Sequence, residues 1–505
     1  LARSLDRAFA PAIPDDGLES IHLTIDRRHI GSLNSNIPES GRTKYYPGNI
    51  ELDGRTHQVK VRYVGDNHWH WLYPQKSWKI KTRATDPIRN RRSFNLKNTP
   101  TPVLEDTIAN QIAVEMGLMA PDVIPVKLFV NGAYSGVHYW QDVADESLLR
   151  RFRRMPGSIY SGDHMIQREA YDADGVGRIY AEAQFWEKDA ARNAEQLEDR
   201  TDIESLIAAV NNPDNEAFRQ YADDHLDITQ FARFTALDRL LGGQHHDYTH
   251  NHKIYYDPYK GRFEPIEWDF AWWRVRRRLE DFDHVLYPLL TRVRQQPEFE
   301  LKIQAQLWEL LRDYPPNEIQ RRLELNTARM RSALAADGYR DVRDHTSSNK
   351  LRLAQVHCSH FSMSDFAQRV ESYTAGYKQR HAWLLEKVAG SSLRANVSQS
   401  ASGATRISLQ SSGLVGQRLR EIRATTDAAS VDLVLDRNRD GAIDANETVI
   451  ATVQPTDGIA SIVVDELLLP GLKKIKRPAG SRIERGIFAL GAAPLNYSYL
   501  LRPST

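Results

Sequence analysis

The chain has 505 residues, and its 67 Lys and Arg against 66 Asp and Glu leave a net charge of +1. That balance gives no electrostatic basis for binding nucleic acid or an acidic membrane. No apolar run reaches membrane-spanning length, and the single cysteine, Cys358, excludes an intrachain disulfide and reads as a buried thiol. The length predicts two or three domains, and the expected fold class is α+β.

Residues 1–20 read as a proline-containing arm. Ile21–Asp26 (IHLTID) opens a strand-rich region that runs to about residue 165 and holds one helix, Leu104–Met116. In SWKIK, Lys79 and Lys81 share one face of a strand, and Lys76 lies at its start. From 166 to about 395 the chain reads as mostly helical. Asp227–Leu241 carries Ile228, Phe231, Phe234, Leu237 and Leu240 at helical spacing, and Gly242 and Gly243 end it.

The polar loop that follows contains HHDYTHN. Lys253–Tyr256 is a predicted strand, DPYKGR a turn on Pro258 and Gly261, and Phe263–Trp268 a returning strand that ends on Asp269. An acid (Asp247), an amide (Asn251) and a second acid (Asp269) occur here in the order kinase-type phosphotransferases use for a catalytic base and two metal ligands. A nucleotide triphosphate is too negative to be attacked until Mg²⁺ or Mn²⁺ neutralises it, and a separate carboxylate must take the proton of the acceptor. Protein kinases place the acid five residues before the asparagine, whereas the gap here is four. A rival reading makes His245, His246, His250 and His252, with Asp247 and Asp269, a zinc or manganese hydrolase centre. Arg274, Arg276, Arg277 and Arg278 are either a solvated face or a grip for an acidic protein substrate.

Amphipathic patterns predict helices over Phe299–Leu311, Asn317–Ala336 and Asp365–Val388. Leu393–Thr405 is rich in serine and alanine and reads as a flexible linker centred on 396–404, so the following region is expected to melt independently. Residues 405–505 hold alternating segments (RISLQ, SVDLVLD, TVIATVQP, ASIVVDEL) and read as a small β-sandwich. Within it, DRNRDGAIDANE places Asp436, Asn438, Asp440, Asp444 and Glu447 at calcium-loop positions one, three, five, nine and twelve. Gly441 falls at the sharp turn, and the Ala442 carbonyl at position seven.

Several motifs in order resemble the spore coat protein H (CotH) kinase family: VRYVGDNHW, PQKSWKIK, SFNLKN, KLFVNGAYSGVHYWQDVADESLLRRF, SIYSGD, the HN-containing acidic loop, YYDP and WDF. The likeness covers roughly residues 20–290. It implies an atypical protein-kinase-like fold of two lobes, 21–165 and 166–395, and ATP-dependent phosphorylation of secreted or coat proteins. By this resemblance, Asp247 is the general base and Asn251 and Asp269 hold Mg²⁺. The residues themselves offer Lys76, Lys79 and Lys81, with Lys79 favoured, either to reach the phosphates under the hold of Asp142 or as solvated edge charges, and Trp140 or Tyr139 either to stack on adenine or to pack in the core. Three positions depart from the pattern: Ala271 replaces the second acid of WDxD, Val64 an arginine, and Asp142 a glutamate. The first departure keeps two alternatives open. One is transfer of an adenylyl group or glutamate; the other is a non-catalytic secreted protein that attaches to a surface through its C-terminal region. The lone calcium loop suits an extracytoplasmic protein. The chain opens on Leu1 and not Met, and a signal peptide is expected to have been removed or left out.

Overall fold

The structure is a computed structural model. It describes residues 17–37, 41, 43–65, 70–71, 75–98, 104–162, 178–243, 251–270, 283–284, 287–337, 363–400, 403–413, 415–436, 439–440, 442, 447–469, 471–476, 488–493 and 495–504.

Seven strands close a barrel: β1 (Ser20–Ile25), β2 (Tyr46–Leu52), β3 (Arg55–Tyr63), β4 (Trp78–Thr82), β5 (Ser93–Lys97), β6 (Val123–Val130) and β7 (Ala133–Asp142), in the order β1-β2-β3-β4-β5-β7-β6. Period-two alternation builds it. In β3, His57, Val59, Val61 and Tyr63 turn inward and their neighbours outward. The interior is filled by Leu23, Ile50, Val61, Ile80, Phe94, Leu96, Leu128 and Trp140. Among the described residues, two helices of at least two turns interrupt the strands. The first, α1 (Arg27–Asn34), escaped the sequence reading; the Asp26 carboxylate caps it by accepting from Arg28 N at 2.8 Å. The second, α2 (Leu104–Glu115), was expected, and the Thr107 hydroxyl donates to the Val123 carbonyl of β6 at 3.2 Å.

After the short helix α3 (Glu146–Arg151), a four-stranded sheet forms in the order β11-β10-β8-β9, from β8 (Ser158–Gly162), β9 (Trp186–Ala190), β10 (His252–Asp257) and β11 (Arg262–Pro265). β8 pairs with β10, so the sheet joins segments from both sides of residue 165. Around it lie α4 (Thr201–Asn211), α5 (Asn215–His225) and α6 (Ile228–Leu241). Beyond the two-residue strand β12 (Asp283–His284) come α7 (Pro288–Arg294), α8 (Pro297–Asp313), α9 (Pro316–Ala335) and α10 (Met363–Ala389). One apolar core runs through this helical body. It includes Ile108 and Ile112 of α2, Phe231 and Leu237 of α6, Ile303 of α8, Leu323 of α9 and Tyr377 of α10. It also takes in Val123, Val137 and Tyr139 from the outside of the barrel.

The predicted linker is corrected by the structure. Strand β13 (Ser392–Gln399) fills most of it and pairs with β14 (Thr405–Ser412) from Ser392↔Ser412 to Gln399↔Thr405. Serine and alanine are compatible with an edge strand whose residues are largely exposed. The five-stranded sheet β13-β14-β21-β16-β17 uses also β16 (Val431–Leu435), β17 (Val449–Val453) and β21 (Leu495–Pro503). A two-stranded ribbon of β15 (Gln417–Thr425) and β18 (Ile459–Leu468) shares its core, through Leu409, Leu433, Ile462 and Tyr499.

The tail is also joined to the body. Gly416 N donates to Gln304 Oε1 of α8 at 2.8 Å. The hairpin of β19 (Gly471–Lys476) and β20 (Phe488–Ala493) pairs with β12, at Asp283↔Leu490 and His284↔Ala489.

Candidate active site

Helix α6 delivers the first part of the site. The Asp227 carboxylate caps its start, accepting from Gln230 N at 3.2 Å, and Phe231, Phe234, Leu237 and Leu240 bury its inner face. Gly242, at φ 67°, closes it in the left-handed conformation, with its N–H on the Asp238 carbonyl at 2.8 Å. Asp247, His245, His246 and His250 then lie outside the described residues, as do Ala271, Arg274, Arg276, Arg277, Arg278 and Cys358.

Asn251 precedes β10, and Asp269 follows the hairpin that β10 makes with β11. Pairing runs from Asp257↔Arg262 to Ile254↔Pro265, and Ile266 N donates to the Lys253 carbonyl at 2.9 Å. Beyond Pro265 the chain turns to Met119, which bridges Ile266 and whose carbonyl accepts from Glu267 N at 2.8 Å; Asn251 lies directly before β10, and Asp269 four residues after β11. Each adopts a left-handed backbone, φ 65° at Asn251 and φ 51° at Asp269. Asn and Asp tolerate this conformation best after glycine, and such backbones cluster at functional sites. A Cβ on Gly243 would fall 2.5 Å from Phe270 Cζ, so the end of α6 lies directly against the residue after Asp269. The end of α6 and the residue after the second acid are thus in contact.

Strand alternation sorts the remaining side chains there. His252 points away from Asn251 into an aromatic cluster, 3.9 Å from the Tyr287 ring and 6.2 Å from Trp186. His252 is 1% exposed in that cluster. Lys253 projects from the other side of β10 from His252. Its ammonium donates to the Ser161 hydroxyl, lies 3.4 Å from Asp189 and sits 4.7 Å over the Trp268 ring. Glu267, which the sequence reading passed over, is fully buried; its Oε1 accepts from Trp268 N at 3.1 Å.

The barrel redistributes the expected ATP contacts. Trp140 is 2% exposed and stacks on Phe94 with ring centroids 3.6 Å apart, inside the barrel, where adenine has no face to meet. Asp142 does not hold a lysine. Its Oδ1 accepts from Arg91 Nε and Trp140 Nε1, each at 3.0 Å, and its Oδ2 from Arg151 Nη1 at 2.8 Å. Burial would raise this carboxyl, but Arg91, Trp140 and Arg151 outweigh it and hold it below the usual carboxylate range. The physical reason is register. Asp142 pairs with Phe94 and so belongs to the inward row, whereas Lys79 pairs with Asn95, which pairs with Gln141, in the outward row.

Lys76 turns to the barrel rim. Its ammonium donates to the Trp71 carbonyl at 2.5 Å and lies 5.5 Å from the Tyr63 ring, and burial pushes its pKa down to about 8. Lys79 and Lys81 of β4 both stay in the outward row, Lys79 half-buried and Lys81 exposed. Sequence reasoning missed Asn95, Lys97 and Gln141 of the same outer face. Alternation within SFNLKN carried the signal for the first two.

In the tail, Leu435 N donates to the Thr448 carbonyl at 3.1 Å, so Asp436 and Glu447 flank the neck of one loop. Asp436 is 2% exposed. Its Oδ2 accepts from the Ser498 hydroxyl at 2.6 Å and lies 3.4 Å from Arg406; its Oδ1 is buried with no donor among the described residues. Asp440 Oδ1 accepts from Ala442 N at 2.7 Å. Asn438, Gly441 and Asp444 lie outside the described residues. Among the described residues no three His, Cys, Asp or Glu side chains are grouped as metal ligands, and no described helix is long and apolar enough to cross a membrane.

Comparison with known proteins gives one family. The family described as CotH kinase protein matches residues 61–384. No curated protein matches. Among solved structures, the chain is similar to one titled as the Shewanella oneidensis MR-1 toxin–antitoxin system HipA, HipB and its operator DNA complex. Identity is 14%, 57% of each chain is covered, and the TM-score is 0.22. The family match spans more than half of the chain and contains the end of α6, Asn251, Asp269 and the outward row of the barrel; the chain belongs to the CotH kinase family.

Proposed function

We propose that the protein is an ATP-dependent, kinase-like phosphotransferase acting on a protein acceptor outside the cytoplasm. In this reading the barrel with α2 forms an N-lobe, over residues 21–165. The helical body forms a C-lobe, over 166–395, and the tail from β13 onward a small β-sandwich. One observation carries the reading: Asn251 and Asp269, both left-handed, flank the β10–β11 hairpin, and the residue after Asp269 packs on Gly243 at the end of α6. An amide and a carboxylate suit Mg²⁺, which keeps several waters and phosphate oxygens as its other ligands. Asn251 and Asp269 would hold the ion, whose charge would neutralise the phosphates.

Asp247 takes the proton from the acceptor's hydroxyl. Lys79, on the outward row, offers a cation to the phosphates. Asp142 serves the barrel as a structural carboxylate, and Lys76 does the same at its rim. Asp269→Ala should abolish Mg²⁺-dependent ATP binding in calorimetry while leaving the melting midpoint near wild type. Unchanged affinity would sink the metal assignment. Asp247→Ala should bind ATP normally and lose transfer by orders of magnitude, because a base acts on the acceptor and not on the bound nucleotide. Mass spectrometry of an acceptor incubated with ATP and Mg²⁺ or Mn²⁺ separates phosphate from AMP or glutamate. With no addition of any kind, the non-catalytic surface-binding alternative takes over; Ala271 is the residue that favours it.

The loop from Asp436 to Glu447 is a second, separate site in this reading and takes Ca²⁺. The neck geometry and the donor-less Asp436 Oδ1 support it. Its role is to order the tail for attachment or acceptor presentation.

A further inference from the structure

Lys253 has no task in the kinase reading, yet its ammonium stands over the residue that precedes the second acid. Lys253 of β10 pairs directly with Ser161 of β8, so the two side chains share one face of the sheet. The Lys253 side chain is only 13% exposed. An ammonium so far out of water needs partners, and the sheet supplies two. Lys253 donates to the Ser161 hydroxyl and lies 3.4 Å from Asp189 of β9. The Ser161 hydroxyl in turn donates to Asp189. Held in this way, Lys253 Nζ sits 4.7 Å from the centre of the Trp268 ring. Trp268 also packs on the apolar cluster of Met119, Ile159, Tyr255 and Ile266.

Asp269 is thereby fixed from both flanks. Its backbone is left-handed, φ 51°, a conformation that persists in a non-glycine residue only where the surroundings hold it. On one side Phe270 is fully buried and lies against Gly243. On the other, Trp268 is half-buried and its ring lies under the lysine. We propose that Lys253 is a positioning residue for Asp269: its ammonium pins the Trp268 ring and so sets the direction in which the Asp269 carboxylate meets Mg²⁺. The inference rests on the kinase reading and adds to it a residue that touches neither metal nor nucleotide. A cation over a ring restrains the tryptophan without taking up an oxygen of the metal-binding carboxylate. Asp189 balances the charge of Lys253, which limits its repulsion of a nearby metal ion.

The test is a Mg²⁺ titration of the full chain at fixed ATP, read by calorimetry, with melting midpoints recorded alongside. Lys253→Met keeps an unbranched stem and removes the charge. It should raise the half-saturating Mg²⁺ concentration by about tenfold or more, the scale on which residues behind a metal ligand act. Lys253→Arg should stay within about threefold of wild type, because a guanidinium also binds the face of an indole. Lys188→Met controls for loss of a lysine from the same sheet. Lys188 of β9 sits 5.1 Å over the Tyr160 ring, and Tyr160 alternates with Ser161 onto the other face. That variant should leave the titration unchanged even where it lowers the midpoint. In a double-mutant cycle, Lys253→Met should add nothing to Trp268→Leu. Additive effects, a Lys253→Met titration like that of wild type, or an arginine variant as weak as the methionine one would overturn the assignment. So would an equal shift in Lys188→Met, which would trace the loss to general weakening of the sheet. Failure of wild type to bind ATP at any Mg²⁺ concentration would instead bring down the kinase reading itself.

Discussion

Asp142 shows how one carboxylate can look catalytic in sequence and be structural in space. It ends a hairpin that the family resemblance marks, and a lysine lies on a strand of the same barrel. Yet pleating puts Lys79 and Asp142 on opposite faces, and the guanidinium groups of Arg91 and Arg151 close on the carboxylate. Neither arginine stands at a diagnostic spacing, so the partnership was not legible before the strands were paired. Asp142→Asn should leave two arginines facing one remaining acid, Asp122, and cost about 3 kcal/mol, the low end for a broken buried pair because both arginines are partly exposed. The pH sign follows from the lowered carboxyl. Its contribution is present above the unfolded carboxylate value of about 3.9 and is lost as pH falls through the lower folded value. Urea midpoints measured from pH 6 downward should therefore drop below pH 4 more steeply in wild type than in the variant. Equal slopes would show that Asp142 carries no such linkage.

Among elements, the long amphipathic helices were legible because a period of 3.6 repeated over many turns leaves little ambiguity: α2, α6, α8, α9 and α10 stand where the apolar spacing put them. Short or polar elements were not. β9 reads WEKDA, with a polar centre, and exists because it pairs with β8. β13 was hidden by its serines and is set by its neighbour β14. The candidate site was legible as residue types in order, Asn251 and Asp269 above all. Its assembly was not, because it depends on Gly243 letting the end of α6 reach Phe270. Gly243→Ala tests that contact directly. Its Cβ would fall 2.5 Å from Phe270 and 2.8 Å from Asp238 Oδ1. Phe270 is fully buried and must shift, at about 1–3 kcal/mol for overpacking. The neighbouring Asp269 shifts with it, and Mg²⁺-dependent ATP affinity should fall more than tenfold. Gly261→Ala, whose Cβ would meet the Tyr256 hydroxyl at an ordinary 3.8 Å at the hairpin turn but at φ 65°, should cost about 1 kcal/mol and leave ATP affinity unchanged. Loss of affinity in both variants would assign the effect to general instability and not to the α6–Phe270 contact.

At the scale of the whole molecule, the tail is wired into the body rather than tethered to it. Gln304 of α8 sits at the junction. Its Oε1 accepts from Gly416 N of the tail at 2.8 Å, and its Nε2 donates to Glu300 Oε1 at 3.0 Å. Glu300 in turn takes both guanidinium nitrogens of Arg239 at 2.9 Å, and the Arg239 carbonyl accepts from Arg380 Nε at 3.0 Å. Arg239 lies in the last turn of α6, just before Gly242 and the segment that leads to Asp247. Burial alone would raise the Glu300 carboxyl, but Arg239 and Arg294 more than offset it and hold it below its ordinary value, so this relay is ionised near neutral pH. The tail therefore should not melt on its own. Heating should give one transition that covers both units, and EDTA, if the Asp436 loop holds calcium, should lower that shared midpoint. Gln304→Met, close in size and unable to make either hydrogen bond, should speed amide exchange at 415–420 and also at 236–243. Gln306→Met, on the outer side of the same helix, should change neither. Gly416→Pro removes the same donor from the tail side and should reproduce the double effect. Faster exchange confined to 415–420 in both junction variants would show that the relay ends at Gln304, and that the tail can loosen without the end of α6 sensing it.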